Sequence, residues 1–131
     1  MELKKSAEGH TYVTLYKTEV RREDFYHGRG IEVYIEPERF NIFAWTAGDV
    51  VKDMYDDFDL EEWLFIKLED GPALIALCCR NADIDPPKGD YSPFMVLDTL
   101  SRIYEGQDDA FEQLRDLMKQ NKFPHEFQFY A

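Results

Sequence analysis

Apolar and polar positions alternate with period two in several short stretches, the spacing that puts successive side chains on opposite faces of a strand. In Thr11 to Val20, TYVTLYKTEV, Val13 and Leu15 take one face and Tyr12, Thr14 and Tyr16 the other. In Ile31 to Glu36, Ile31, Val33 and Ile35 point inward while Glu32, Tyr34 and Glu36 point outward. A turn at Pro37-Glu38-Arg39 leads into a returning strand, Phe40 to Trp45. The most apolar stretch is Glu61 to Arg80. Its first arm alternates, with Leu64, Ile66 and Leu68 on one side and Trp63, Phe65 and Lys67 on the other. Asp70-Gly71 reads as a tight hairpin turn. Ala73 to Cys79 is apolar throughout, which predicts an interior strand buried on both faces and antiparallel to residues 62 to 69.

Helical spacing is read in three places. Thr46, with Asp49 three residues on, predicts an N-cap for a short helix from Ala47 to Tyr55, with Val50, Val51 and Met54 on one face. Ser92 and Pro93 open a second helix, whose apolar positions are Val96, Leu97, Leu100, Ile103 and Tyr104 and which Gly106 ends. A third starts at Asp108 or Asp109, with Ala110, Phe111, Leu114, Leu117 and Met118 as its stripe and Lys119 and Lys122 near its C-terminal end. Residues 1 to 10 read as a polar lead-in, Arg21 to Gly30 as a loop, and the Pro-rich segment after Arg80 as another. Phe127, Phe129 and Tyr130 predict an edge strand or a segment packed over the helices. The order β-β-β-α-β-β-α-α predicts an α+β fold: a mostly antiparallel sheet of about five strands with a C-terminal helical pair packed on one face. No repeat or linker interrupts the 131 residues, so a single domain is expected.

Composition adds three constraints. Aromatic residues make up 15%, more than a core of this size needs, so some rings should face water or a partner. The formal net charge of −12 disfavours direct binding to nucleic acid or to an anionic membrane and favours a basic partner. Cys78 and Cys79 are adjacent, in the most apolar stretch, and are expected to be reduced, buried and inert. With no signal-peptide pattern and no apolar run near membrane-spanning length, the expected location is cytoplasmic.

The charge is concentrated. Between Asp49 and Asp70 lie nine carboxylates and only two cations, Lys52 and Lys67. Aromatic residues are interleaved with them. The candidate partner-binding residues are Asp49, Asp53, Tyr55, Asp56, Asp57, Phe58, Asp59, Glu61, Glu62 and Trp63. A field of one sign steers an oppositely charged partner, and rings inside a charged rim resemble the anchor of a binding hot spot. A solvated face that keeps the chain soluble, with Trp63 and Phe65 packed beneath a helix, is the plainer alternative.

Motifs for catalysis or metal binding are lacking. The acids from Asp57 begin like a calcium loop, but the glycine needed at the sixth position is Glu62 and the twelfth is Leu68, not Glu. His10, His27 and His125 have no ligand spacing. Gly28-Arg29-Gly30 is too short for a phosphate loop and precedes a strand. No catalytic residue, metal or cofactor is therefore assigned.

In size, acidity and lack of catalytic motifs the chain is similar to bacterial immunity proteins and phage-type inhibitors. That likeness of class implies a non-enzymatic acidic protein that neutralises a basic partner, such as a nuclease toxin or a nucleic-acid-binding protein. A close variant is a nucleic-acid mimic, with carboxylates spread along an extended surface in place of phosphates. Two alternatives come from other classes. One is a small enzyme or ligand-binding domain whose pocket is lined by Tyr12, Tyr16, Tyr34 and Trp45. The other is an adaptor or secretion chaperone that dimerises through an edge strand or its C-terminal helices.

Overall fold

The alternating stretches pair with one another in sequence order. In a computed structural model, which describes residues 1–49 and 59–130, they form a six-stranded antiparallel sheet. The strands are β1 (Lys4–Lys5), β2 (Thr11–Arg22), β3 (Phe25–Ile35), β4 (Arg39–Gly48), β5 (Asp59–Lys67) and β6 (Glu126–Tyr130), and they lie side by side in that order. Three helices, α1 (Gly71–Ala82), α2 (Phe94–Tyr104) and α3 (Ala110–Gln120), separate β5 from β6. The architecture is α+β as expected, with six strands in the sheet where about five were predicted.

The core lies between one face of the sheet and the helices. Val13, Leu15, Ile31, Val33, Phe40, Ile42, Ala44, Leu64 and Ile66 supply the sheet side. Leu74, Cys78, Val96, Leu97, Leu100, Phe111, Leu114 and Met118 supply the helix side. The stripes of α2 and α3 fall where their 3.6-residue period places them, with Ile103 only partly buried. Ser92 makes no side-chain cap, and Pro93 stands at the N-cap of α2 instead. β6 pairs with β5 from Glu126↔Phe65 to Tyr130↔Glu61 and so forms an edge strand, the first of the two alternatives expected for these residues.

Ala73 to Cys79 is not a strand. It lies in α1, directly after a 3-10 turn at Leu68–Asp70. A continuous apolar run fits a buried helix as well as a buried strand. The deciding features are Pro72, whose missing N–H is harmless in a first helical turn, and the exposure of Ala73, Ala76 and Arg80 opposite buried Leu74, Ile75, Cys78 and Cys79. Gly71 has ordinary helical angles, φ −55 and ψ −50, so it makes no hairpin turn. Its value is space: a Cβ there would run into the Tyr91 hydroxyl.

Three further expectations change. Arg21 to Gly30 is not a loop, because β2 runs to Arg22 and β3 begins at Phe25, with the reversal at Glu23-Asp24. Both arms are largely exposed there, which hides the alternation. Thr46, Ala47 and Gly48 belong to β4, so Thr46 caps no helix; the rest of the helix expected over 47–55, beyond Asp49, lies outside the described residues. A bulge between Thr14 and Tyr16 pairs Tyr16 with Ile31, which carries Tyr16 to the helix side of the sheet, against the core. Cys78 and Cys79 are free and buried, as expected, although on a helix. Burial pushes the Cys78 thiol up to about 12 and raises that of Cys79 as well.

Candidate functional site

Residues opposite one another in a ladder share a face. The register therefore assigns the outer face, turned away from the helices, without ambiguity. One row across it is Tyr12, Tyr34, Asn41 and Phe65; the next is Thr14, Glu32, Phe43 and Trp63; the third is Lys17, Gly30, Trp45 and Glu61. Both tryptophans of the chain thus lie on this face, partly exposed.

The rings are organised in pairs. Tyr12 and Tyr34 stack with centroids 4.7 Å apart, and Phe43 and Trp63 with centroids 5.6 Å apart. Trp45 rests on the glycines of β3: a Cβ at Gly30 would overlap its indole nitrogen, and one at Gly28 would crowd its six-membered ring. Here glycine is needed for close approach and not for a turn.

Several of these rings already carry a cation of their own. Arg39 lies over Phe65, 3.6 Å from its centroid, and donates from Nε to Glu36 Oε1 at 2.9 Å. Arg21 lies over Tyr26 at 4.8 Å and pairs with Glu19. Lys4 stands 6.0 Å from the Tyr12 centroid. Among the described residues, no cation covers Trp45 or the Phe43–Trp63 pair.

Two hollows open on these rings. One, of about 390 Å³, is lined by Ser6, Glu8, His10, Tyr34, Glu36, Asn41, Phe43 and Trp63. The other, of about 240 Å³, lies between Phe43, Trp45, Ala47, Asp59 and Glu61. A hollow of about 430 Å³ at the far end includes Phe65 and His125, but the Arg39 guanidinium already covers Phe65. Around the rings stand Glu8, Glu32, Glu36, Asp59 and Glu61. The Tyr34 hydroxyl donates to Glu32 Oε2 at 3.1 Å, and burial followed by this carboxylate holds the phenol above its ordinary range.

The acidic stretch read from the sequence is divided by the sheet. Asp59, Glu61 and Trp63 lie on the outer face beside Trp45 and Phe43. Glu62 lies on the helix side, opposite Ala44 and Phe129. Burial, then the neighbouring Glu112, raises its pKa, while Arg29 and Arg115 pull the other way. Asp49 accepts a hydrogen bond from the Tyr26 N–H at 2.9 Å and so has a local structural role. Asp53, Tyr55, Asp56, Asp57 and Phe58 lie outside the described residues. The four-ring pocket of Tyr12, Tyr16, Tyr34 and Trp45 does not form, because the bulge puts Tyr16 on the opposite face.

Sequence reading missed Phe43, Asn41 and Glu8 as site residues. Their proximity depends on pairing across β3, β4 and β5 and on the tight turn at Ser6–His10, where His10 N donates to Ser6 Oγ at 3.1 Å. No local signal reports it. Among the described residues no group of three or more His, Cys, Asp or Glu gathers as a metal site would require, and no helix is long and apolar enough to cross a membrane.

No known protein family matches the chain, and searches of curated proteins and of solved structures find no match either.

Proposed function

We propose that the chain is a non-enzymatic binding protein that docks a basic protein partner on the outer face of its sheet and thereby neutralises it. The partner would present the kind of cationic surface with which a nuclease or other nucleic-acid-binding protein holds phosphates. The observation that carries this reading is the set of partly exposed rings at Phe43, Trp45 and Trp63, which lack an internal cation among the described residues and are bordered by carboxylates. Rings of this kind attract cations through their faces, by about 0.5–2 kcal/mol each. The surrounding carboxylates and the net charge of −12 speed the encounter.

The test uses the chain's own reporters. Because both tryptophans lie on this face, their fluorescence should change when polyarginine is added and should recover at high salt. Polyglutamate should leave it unchanged. A fluorescence signal indifferent to both polymers would remove the basis for the reading.

A second reading, an adaptor that self-associates, is favoured by one feature. β6 is an edge strand on which Phe129 is 49% and Tyr130 61% exposed. Sedimentation over a range of concentrations distinguishes it, since only that reading requires a dimer.

A further inference from the structure

Asn41 sits on the floor of the larger outer-face hollow and is 9% exposed. Its Nδ2 donates to Glu36 Oε2 at 3.2 Å. An ionised carboxylate only accepts, so this bond fixes which end of the amide is nitrogen. The other end, Oδ1, is buried and has no hydrogen-bond partner among the described residues. A buried amide oxygen without a donor is costly, and such groups are few in native proteins.

Of the groups around it, Tyr34 and Glu8 offer acceptors, beside the Ser6 hydroxyl and the His10 ring, which can also donate. The Tyr34 proton is engaged by Glu32, which leaves the phenol oxygen as an acceptor. Glu8 contributes a carboxylate at the rim, and the Phe43–Trp63 stack contributes ring faces. Arg39, the nearby cation on β4, is held by Glu36 and Phe65. The complementary ligand is flat, positively charged and rich in donors. A guanidinium meets all three conditions, because it stacks on a ring through its plane and donates N–H groups at its edge. An ammonium supplies charge but neither the plane nor the fork. The chain repeats this chemistry on the same face, where Arg39 lies on Phe65 beside Glu36 and Arg21 on Tyr26 beside Glu19.

We infer that this hollow is an arginine subsite, in which an arginine of the basic partner stacks on Phe43 and Trp63, donates to Asn41 Oδ1 and faces the Glu8 carboxylate. The inference rests on the outer face being the docking surface and adds which side chain of the partner is selected.

The test is an NMR titration of the full chain with a short peptide of alternating arginine and glycine, against the same peptide with lysine or citrulline in place of arginine. The side-chain amide of Asn41 and the indole N–H of Trp63 report binding. The arginine peptide should move both signals and bind about tenfold more tightly than the lysine peptide, the difference expected for one hydrogen bond to a charged group. Citrulline, which keeps the shape and loses the charge, should bind weakly. Asn41→Leu should abolish the preference for arginine over lysine. Glu8→Gln, at an exposed position, should weaken the arginine peptide several-fold. Equal affinity for arginine and lysine peptides in the natural chain, with both tryptophans still responding, would overturn the subsite and leave the docking face standing. Citrulline binding as well as arginine would also overturn it. No response of either tryptophan to any peptide would overturn both.

Discussion

Trp45 occupies the space that a side chain at Gly30 would take, since the two residues face each other directly across β3 and β4. The indole is thereby held down on the sheet, where it joins Phe43 and Trp63 in a ring surface bounded by Asp59 and Glu61.

Gly30→Ala should therefore destabilise the fold by about 1–3 kcal/mol, the usual range for overpacking. Strand propensity argues for the opposite sign, because alanine in place of a strand glycine ordinarily helps. Urea unfolding gives the sign, and a shifted tryptophan emission maximum should accompany the loss. A variant as stable as the natural chain would mean that Trp45 does not depend on the glycine.

Arg29 ties the sheet to α3. Its Nη2 donates to both oxygens of Glu112 at 2.7 and 2.9 Å, its Nε to the Asp108 carbonyl at 2.8 Å and its Nη1 to Thr46 Oγ1 at 2.7 Å. The Arg29 side chain is 14% exposed and that of Glu112 50%. Arg29→Leu should cost about 1–3 kcal/mol, since charged hydrogen bonds with little access to water are lost. Glu112→Gln should cost only about 0–1 kcal/mol, because its carboxylate is half in water. Chemical denaturation of the two variants checks the asymmetry.

Glu62 offers a pH-dependent prediction. Its pKa in the folded chain is raised by burial and by Glu112 above the ordinary 4.5. The folded state thus holds this proton more tightly than the unfolded state, and ionising Glu62 works against folding. The penalty is fully present above the raised pKa and vanishes as pH falls below 4.5. Glu62→Gln should raise the unfolding temperature at neutral pH, and its advantage should disappear on acidification through that window. A gain that is the same at all pH values would contradict the assignment.

Cys78 and Cys79 should react slowly with a small alkylating reagent in the native chain and rapidly after unfolding. Both are buried, and both thiols are held above their ordinary range. Mass spectrometry of timed alkylation reads the contrast directly. Fast labelling of both in the native chain would require a far more open α1.

The strands that border the core were legible because one face is buried and the other is not. Ile31, Val33 and Ile35 alternate with Glu32, Tyr34 and Glu36 for that reason. The stripes of α2 and α3 were legible for the same reason at helical period. α1 was misread because its sequence has little polar surface to mark a period: Ala73 and Ala76 are the exposed positions, and alanine looks apolar on either face. The outer end of the β2–β3 hairpin was misread because both its faces meet water. The bulge at Leu15 reversed the facing of Tyr16, an effect of one residue that no composition reveals. Of the candidate site, Asp59, Glu61 and Trp63 were legible from clustered charge and aromatics. Asn41, Phe43 and Glu8 were not, because pairing between distant strands brings them together.

Docking of a basic protein on the outer sheet face can be read by affinity capture from native lysate of the source cells. The natural chain is compared with a variant carrying Trp45→Ser and Trp63→Ser, whose folding is verified by circular dichroism. A basic protein should be retained by the natural chain, released by raised salt and absent from the variant. Retention of the same proteins by both chains, or of acidic proteins alone, would contradict it.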